Sequence, residues 1–344
     1  MPILLAILSG TTLGYTLERG DMCFHSTIRG LFKAPRQLDL FRAYILALLI
    51  ATPIVVLFRS FGLINPWIPP FTLRANIVGG LIFGVGMVVA SSCITGFFYK
   101  LGHGMLGVII GLLTWGLGDI IVYLGPLSGF RSTLTANPIT IGGADPTFEN
   151  LFNPGSWAVL VILGLVGIYW LWKSPKSNRR SREKLWGWVP LGISVGLIIS
   201  LSWLLAKAGG TNYPYGTSYV PTQIYKWITV GEISSPWIPI TLISLILGAI
   251  IEAQRSGTLW VRGESMRRYL ELAGGGFLMG VGAAIAGGCN LGHGLVGISL
   301  LSMGSITTVI AMVFGVFLAN WAGNIWSRIQ SSKKQQYIFP KEEG

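Results

Sequence analysis

The chain has 344 residues, of which 51% are hydrophobic and only 11% charged, and its mean hydropathy is +0.62. A soluble domain would carry about 25% charged residues, so the composition excludes one and predicts a polytopic membrane protein. The net charge of +12 does not call for nucleic acid, because the basic residues lie in short loops between apolar runs, as the positive-inside bias requires; attraction of an anionic substrate is a secondary reading.

Apolar runs that can cross or deeply enter a bilayer lie near 2–18, 38–58, 71–92, 103–124, 155–172, 185–205, 236–252, 270–288 and 294–326. The first lacks a basic leader and a small-residue cleavage site, so it is read as mature structure rather than a signal peptide. It ends in a dense polar patch, Glu18-Arg19-Gly20-Asp21-Met22-Cys23-Phe24-His25. The third run reads Gly79-Gly80-Leu-Ile-Phe-Gly84-Val85-Gly86 and leads to Cys93; Gly102-His103-Gly104 and Gly107 follow. Asp119 lies alone in the fourth run and receives no role.

Between the fifth and sixth runs, 173–184 carries six basic residues and one acid, flanked by Trp170, Trp172, Trp186 and Trp188. This stretch is predicted to be a cytoplasmic linker with an aromatic belt on either side, dividing the chain into halves 1–172 and 185–344. The seventh run ends at Glu252, followed by Arg255. The eighth repeats the third: Gly275-Gly276-Phe-Leu-Met-Gly280-Val281-Gly282, then Cys289 and Asn290, with Gly292-His293-Gly294 and Gly297 beyond. In both copies the first glycine precedes the cysteine by fourteen positions.

Basic loops at 19–37 and 253–269 and a basic tail predict an N-terminus outside and a C-terminus in the cytoplasm, with 126–154 and 206–235 outside. The two glycine–cysteine runs then cross in opposite directions, which makes the repeat inverted. A fainter echo, Gly14-x-x-x-Glu18 against Gly248-x-x-x-Glu252, runs the same way in both halves; it is either chance or a sign that some segments are re-entrant. The expected fold is all-α, with about nine transmembrane segments plus re-entrant or half helices in a pseudo-symmetric repeat. Forty-seven glycines suit close helix packing and helix breaks around a cavity.

A duplicated, glycine-interrupted apolar segment is the best sequence pointer to a transporter's central site, and Cys93 and Cys289 sit in it; the bland alternative is a small buried hydrophobe at a helix contact. For Cys23 an interfacial loop is an equal alternative. Gly86 and Gly282 are read as supporting the cysteine loops. Glu18 and Glu252 are expected to be paired, with Arg19 and Arg255 as partners, because unpaired charge in the membrane costs several kcal/mol. His103 and His293 are read as hydrogen-bonding residues rather than metal ligands: Cys289 and His293 are four positions apart, but Cys93 and His103 are ten. No metal or other cofactor is predicted. Glycine-exposed N–H groups and helix N-termini favour anions, and protonated thiols are soft, weak donors. Together they suit a small oxyanion with a sulfur end, handed between sites that each hold it weakly.

At these residues the chain resembles the YeeE/YedE family of bacterial membrane proteins. The resemblance is carried by the two Gly-Val-Gly…Cys segments, their Gly-His-Gly followers and Arg19-Gly20-x-x-Cys23-Phe24, and it covers most of the chain. It implies an hourglass-like helical fold with loops dipping to the membrane centre, a bacterial inner-membrane location, and uptake of thiosulfate feeding cysteine synthesis. It also implies that Cys23, Cys93 and Cys289 line the passage, and that a small cytoplasmic sulfurtransferase is a partner. Without a Gly-x-x-x-x-Gly-Lys-Ser/Thr motif, transport is expected to be passive, ion-coupled or drawn inward by metabolism. The competing readings are a membrane thiol enzyme, a sulfurtransferase or disulfide oxidoreductase, which lacks the usual C-x-x-C, and a soft-metal channel using Cys289 and His293.

Overall fold

A computed structural model describes residues 1–32, 36–151, 156–174, 185–231 and 234–338. Most of the predicted linker, 175–184, lies outside the described residues, as does Lys33. The elements in chain order are α1 (Pro2–Gly20), α2 (Phe24–Phe32), α3 (Asp39–Ser60), α4 (Leu73–Val89), α5 (Ile94–Gly102), α6 (Val108–Tyr123), α7 (Ser128–Thr135), α8 (Phe148–Leu151), α9 (Ser156–Lys173), α10 (Trp188–Ala208), α11 (Val220–Val230), α12 (Trp237–Arg255), α13 (Met266–Ala286), a π-helical turn (Gly292–Gly297) and α14 (Met303–Ile338). Each predicted apolar run contains one long helix. The run at 294–326 is an exception in detail: it opens in the π turn and becomes α-helical only from Met303.

Among the described residues, six helices are long and apolar enough to cross a bilayer, taking Leu73–Gly102 as one, and seven if α6 and α7, bent by 68°, form a single span. The hydropathy of α1 is diluted by Ser9, Thr11, Thr12, Thr16 and Glu18. Local chemistry sets several ends. Pro2 opens α1, where its missing N–H is not needed. The Ser265 side chain caps α13 by accepting from the Arg268 N–H at 3.3 Å, and Gly287, with φ of 79°, closes it in the left-handed conformation.

Glycines bring the long helices together at backbone distance. Cβ atoms placed on Gly79 and Gly86 of α4 would fall 2.6 and 2.9 Å from the carbonyl oxygens of Gly282 and Gly275 of α13; placed on those α13 glycines, they would fall 2.7 Å from the Gly79 and Gly86 oxygens. The duplicated segments therefore pack antiparallel against each other, and each contact has its reciprocal. Gly80 and Gly84 approach the Thr308 and Met312 carbonyls of α14, while Gly276 and Gly280 approach the Gly111 and Trp115 carbonyls of α6. Gly10 and Gly14 meet the Thr241 and Leu245 carbonyls of α12 as Gly192 and Gly196 of α10 meet those of Ala43 and Ala47 of α3.

These contacts also explain the fainter echo. Gly14 packs on Leu245, and Gly248 on Thr11 and Tyr15, so α1 and α12 run parallel and the two similar stretches are the two sides of one helix contact. That contact brings the ends of both helices, with Glu18 and Glu252, to the same level.

Candidate anion path

Two short helices begin in the buried interior, and each begins at a cysteine. Cys23 directly precedes α2, and Cys93 is the N-cap of α5, its Sγ accepting the Gly96 N–H at 3.3 Å. The two sulfurs lie 3.5 Å apart, and the Cys93 N–H donates to Cys23 Sγ at 3.4 Å. Both residues are 1% exposed. Two helix N-termini, each with a partial positive charge, thus converge on a pair of soft thiols. Broken membrane helices hold anions in this way. Asn290 closes one side, its Nδ2 donating to Cys93 Sγ at 3.6 Å and Thr95 Oγ1 at 3.4 Å.

Cys289 is fully buried just before the π turn and accepts the Leu291 N–H at 3.3 Å. No hydrogen bond among the described residues joins it to the other two thiols. Its contact with them runs through its chain neighbour, Asn290. His293 is held at both ring nitrogens, Nδ1 by Ser305 Oγ at 2.9 Å and Nε2 by the Ala286 carbonyl at 3.1 Å. Its role is to tie the π turn to the end of α13 and the start of α14. Gly86 and Gly282 lie inside α4 and α13, where they contribute through helix contact rather than through loops.

A polar cavity of about 280 Å³ is lined, among others, by Glu18, Arg19, Lys100, His103, Glu252 and Arg262, and by neither cysteine of the pair. Glu18 Oε1 meets His103 Nδ1 at 2.5 Å. Glu252, 1% exposed, takes Arg19 at 2.7 Å, and Ser256 donates to it. Both predicted carboxylates are paired, with His103 and Arg19; Arg255 forms no ion pair among the described residues. Gly20 is pressed against Leu191, where a Cβ would fall 2.3 Å from its side chain. Arg19→Ala would strand a buried carboxylate, a change that costs about 3–5 kcal/mol for a fully buried pair and less here, because Arg19 is 27% exposed. Thermal unfolding of the purified variants should rank Arg19→Ala as the more damaging change and Glu252→Gln as the milder one. The reverse order would mean that the pair is not closed.

The roles of two residues escaped the sequence reading. Lys100 lines the cavity, and its Nζ donates to Ser92 Oγ at 2.9 Å; Ser92 Oγ in turn lies 3.8 Å from Cys23 Sγ. No carboxylate among the described residues pairs with Lys100, so a free cation stands one hydroxyl away from the thiols. The signal was present: the stretch between Cys93 and His103 that the second copy lacks contains this lysine. Asp119 accepts the N–H groups of Tyr219 at 2.9 Å and Thr222 at 3.2 Å and the Thr222 hydroxyl at 2.7 Å. It caps α11 from a different helix, a contact that no local pattern announces.

The profile of a family described as sulphur transport matches residues 19–318. The thiosulfate transporter TsuA of Spirochaeta thermophila is 29% identical over 328 residues, covering 92% of this chain and 97% of its own length. The protein of the same name from Escherichia coli is 28% identical over 335 residues, covering 93% and 94%. A probable transporter, YedE of Salmonella typhimurium, is 27% identical over 154 residues, covering 38% of this chain and 37% of its own.

Proposed function

The chain belongs to the sulphur transport family, and from that premise we propose that it is a thiosulfate permease of the bacterial inner membrane. That it is a membrane transporter of sulfur compounds, and not an enzyme, follows from the family and from relatives named as transporters. The finer reading rests on one observation: two helix N-termini meet at the Cys23–Cys93 pair, 3.5 Å apart. Thiosulfate has sulfonate oxygens for the N–H donors and a terminal sulfur for the thiols. Cys289 serves as a further station on the same path, reached through Asn290.

The helices support nine crossings, α1, α3, α4 with α5, α6, α9, α10, α12, α13 and α14, with the N-terminus outside and the C-terminus in the cytoplasm. Parallel α1 and α12, and antiparallel α4 and α13, agree with that count. The glycine contacts support an inverted pseudo-two-fold axis relating α1–α6 to α10–α14. Under it, α4 on α14 corresponds to α13 on α6, and α1 on α12 to α10 on α3. The four-residue spacings agree: Gly80 and Gly84 become Gly276 and Gly280, and Gly111 and Trp115 become Thr308 and Met312. The axis keeps the division into halves 1–172 and 185–344 about the basic linker 173–184. A small cytoplasmic sulfurtransferase that takes the anion at the polar cavity fits the reading.

The direct test is uptake of sulfur-labelled thiosulfate by cells lacking their own thiosulfate permease. Accumulation above empty vector supports the proposal, and its absence with the protein in the membrane rejects it. Lys100 refines the test. Losing a charge-assisted contact of about 1.5–3 kcal/mol implies roughly tenfold or more in affinity. Lys100→Gln is therefore expected to raise the half-saturating thiosulfate concentration about tenfold, and Lys100→Arg to restore most of it. Equal behaviour of Lys100→Gln and wild type would remove Lys100 from the path.

A further inference from the structure

Cys289 has no second thiol, yet its surroundings repeat those of Cys93. Gly96, whose N–H donates to Cys93, lies 196 positions before Gly292 (96 to 292), and the cysteines are separated equally (93 to 289). The Gly292 amide faces the Cys289 sulfur. Cys23 occupies the loop before α2; the loop before α11, the corresponding helix, contains Thr217. Thr217 is 0% exposed and lies next to the Cys289 thiol. A Cβ on Gly292 would fall 3.7 Å from Gly216 Cα and the Tyr215 carbonyl, so the two loops lie against one another.

Two buried oxygens are left over, one at this loop and one on the side chain that binds Cys93. Thr217 Oγ1 completes no hydrogen bond, and neither does Asn290 Oδ1, although Asn290 is only 5% exposed. Buried polar atoms are nearly always paired. The idle hydroxyl beside the Cys289 thiol marks a place where a polar ligand, with its water, completes the bonding.

We propose that Thr217 completes the anion station at Cys289 and makes it the pseudo-symmetric counterpart of the Cys23–Cys93 pair, with a hydroxyl in place of one thiol. The exchange has a chemical consequence. A hydroxyl is a hard donor suited to sulfonate or sulfate oxygens, whereas a thiol pair suits a terminal sulfur. The Thr217 site therefore admits small oxyanions as a class, and the thiol pair selects those that carry a sulfane sulfur. The inference rests on the transport reading for its direction of flow, but not for the existence of the site.

Two measurements test it. In protein carrying Cys23→Ala and Cys93→Ala, the further change Thr217→Cys should give a disulfide with Cys289 on mild copper-phenanthroline oxidation, seen by mass spectrometry of the linked peptides. Failure to cross-link in folded protein overturns the geometry. In otherwise wild-type protein, Thr217→Val, which keeps the shape and loses the hydroxyl, is expected to reduce thiosulfate uptake about tenfold, and Thr217→Ser to keep it. Unimpaired uptake by Thr217→Val overturns the proposal. If the wild type carries no thiosulfate at all, the transport reading has failed, and titration calorimetry with sodium thiosulfate decides the site: weaker binding to Thr217→Val than to wild type upholds it, and equal or absent binding overturns it.

Discussion

Gly280→Ala is expected to unfold well below the wild-type temperature, while Gly274→Ala, on the same helix, is expected to match the wild type. A Cβ at Gly280 would lie 2.2 Å from the Trp115 carbonyl oxygen and 3.1 Å from the Asp119 amide, whereas one at Gly274 meets nothing within 4 Å. The obstacle at Gly280 is backbone, so α6 and α13 must separate. Overpacking of this kind typically costs about 1–3 kcal/mol, and an immovable obstacle places the change at the upper end. At Gly274, alanine in a helix facing open space is neutral or stabilising by about 0.4–1 kcal/mol. The effect reaches function as well, since Asp119, on the same stretch of α6, holds the start of α11 and thereby the loop that carries Thr217. Thermal unfolding of the two purified variants, followed by tryptophan fluorescence, is the check. Equal melting temperatures would mean that α6 and α13 do not meet at this register.

Cys93→Ala is expected to abolish most thiosulfate uptake, and Cys93→Ser to leave a folded but still impaired transporter. Cys93 Sγ holds Cys23 at 3.5 Å, the Gly96 N–H at 3.3 Å and the Asn290 amide at 3.6 Å. Alanine removes the soft ligand and also the cap of α5, the latter worth about 1 kcal/mol. Serine restores a capping oxygen without the soft sulfur. A gap between the two variants in melting temperature, with both poor in uptake, separates capping from transport. Cys23→Ala added to Cys93→Ala is expected to cost little more, because neighbours that act as one unit are not additive. Full additivity would argue that the two thiols serve the anion at separate steps.

Much of the fold was legible because membrane helices announce themselves by length and hydropathy. Each apolar run became one helix, and the duplicated glycine–cysteine segment became the central antiparallel contact, since repeated glycine spacing is what close packing demands. The site was legible in part. Cys23 and Cys93 could be named from their setting, but not their 3.5 Å separation, which depends on α1 and α5 both packing on α12. Glu252 was expected to be paired, yet its partner, Arg19, sits 233 positions away (19 to 252), beyond any local pattern. Thr217 was invisible and Asp119, though seen, carried no legible role for the same reason: one is a threonine in a loop with no repeated motif, the other a lone acid whose bonding partners begin 100 positions later (119 to 219).

Transport by this protein turns on whether the anion passes the thiols. Purified protein reconstituted into liposomes, loaded with an outward-to-inward gradient of sulfur-labelled thiosulfate, isolates that step from metabolism. The predicted result is accumulation above protein-free liposomes for the wild type, lost in Cys93→Ala and in Cys289→Ala reconstituted to the same density. Wild-type flux that survives both substitutions would contradict the account, leaving a transporter whose cysteines serve only packing.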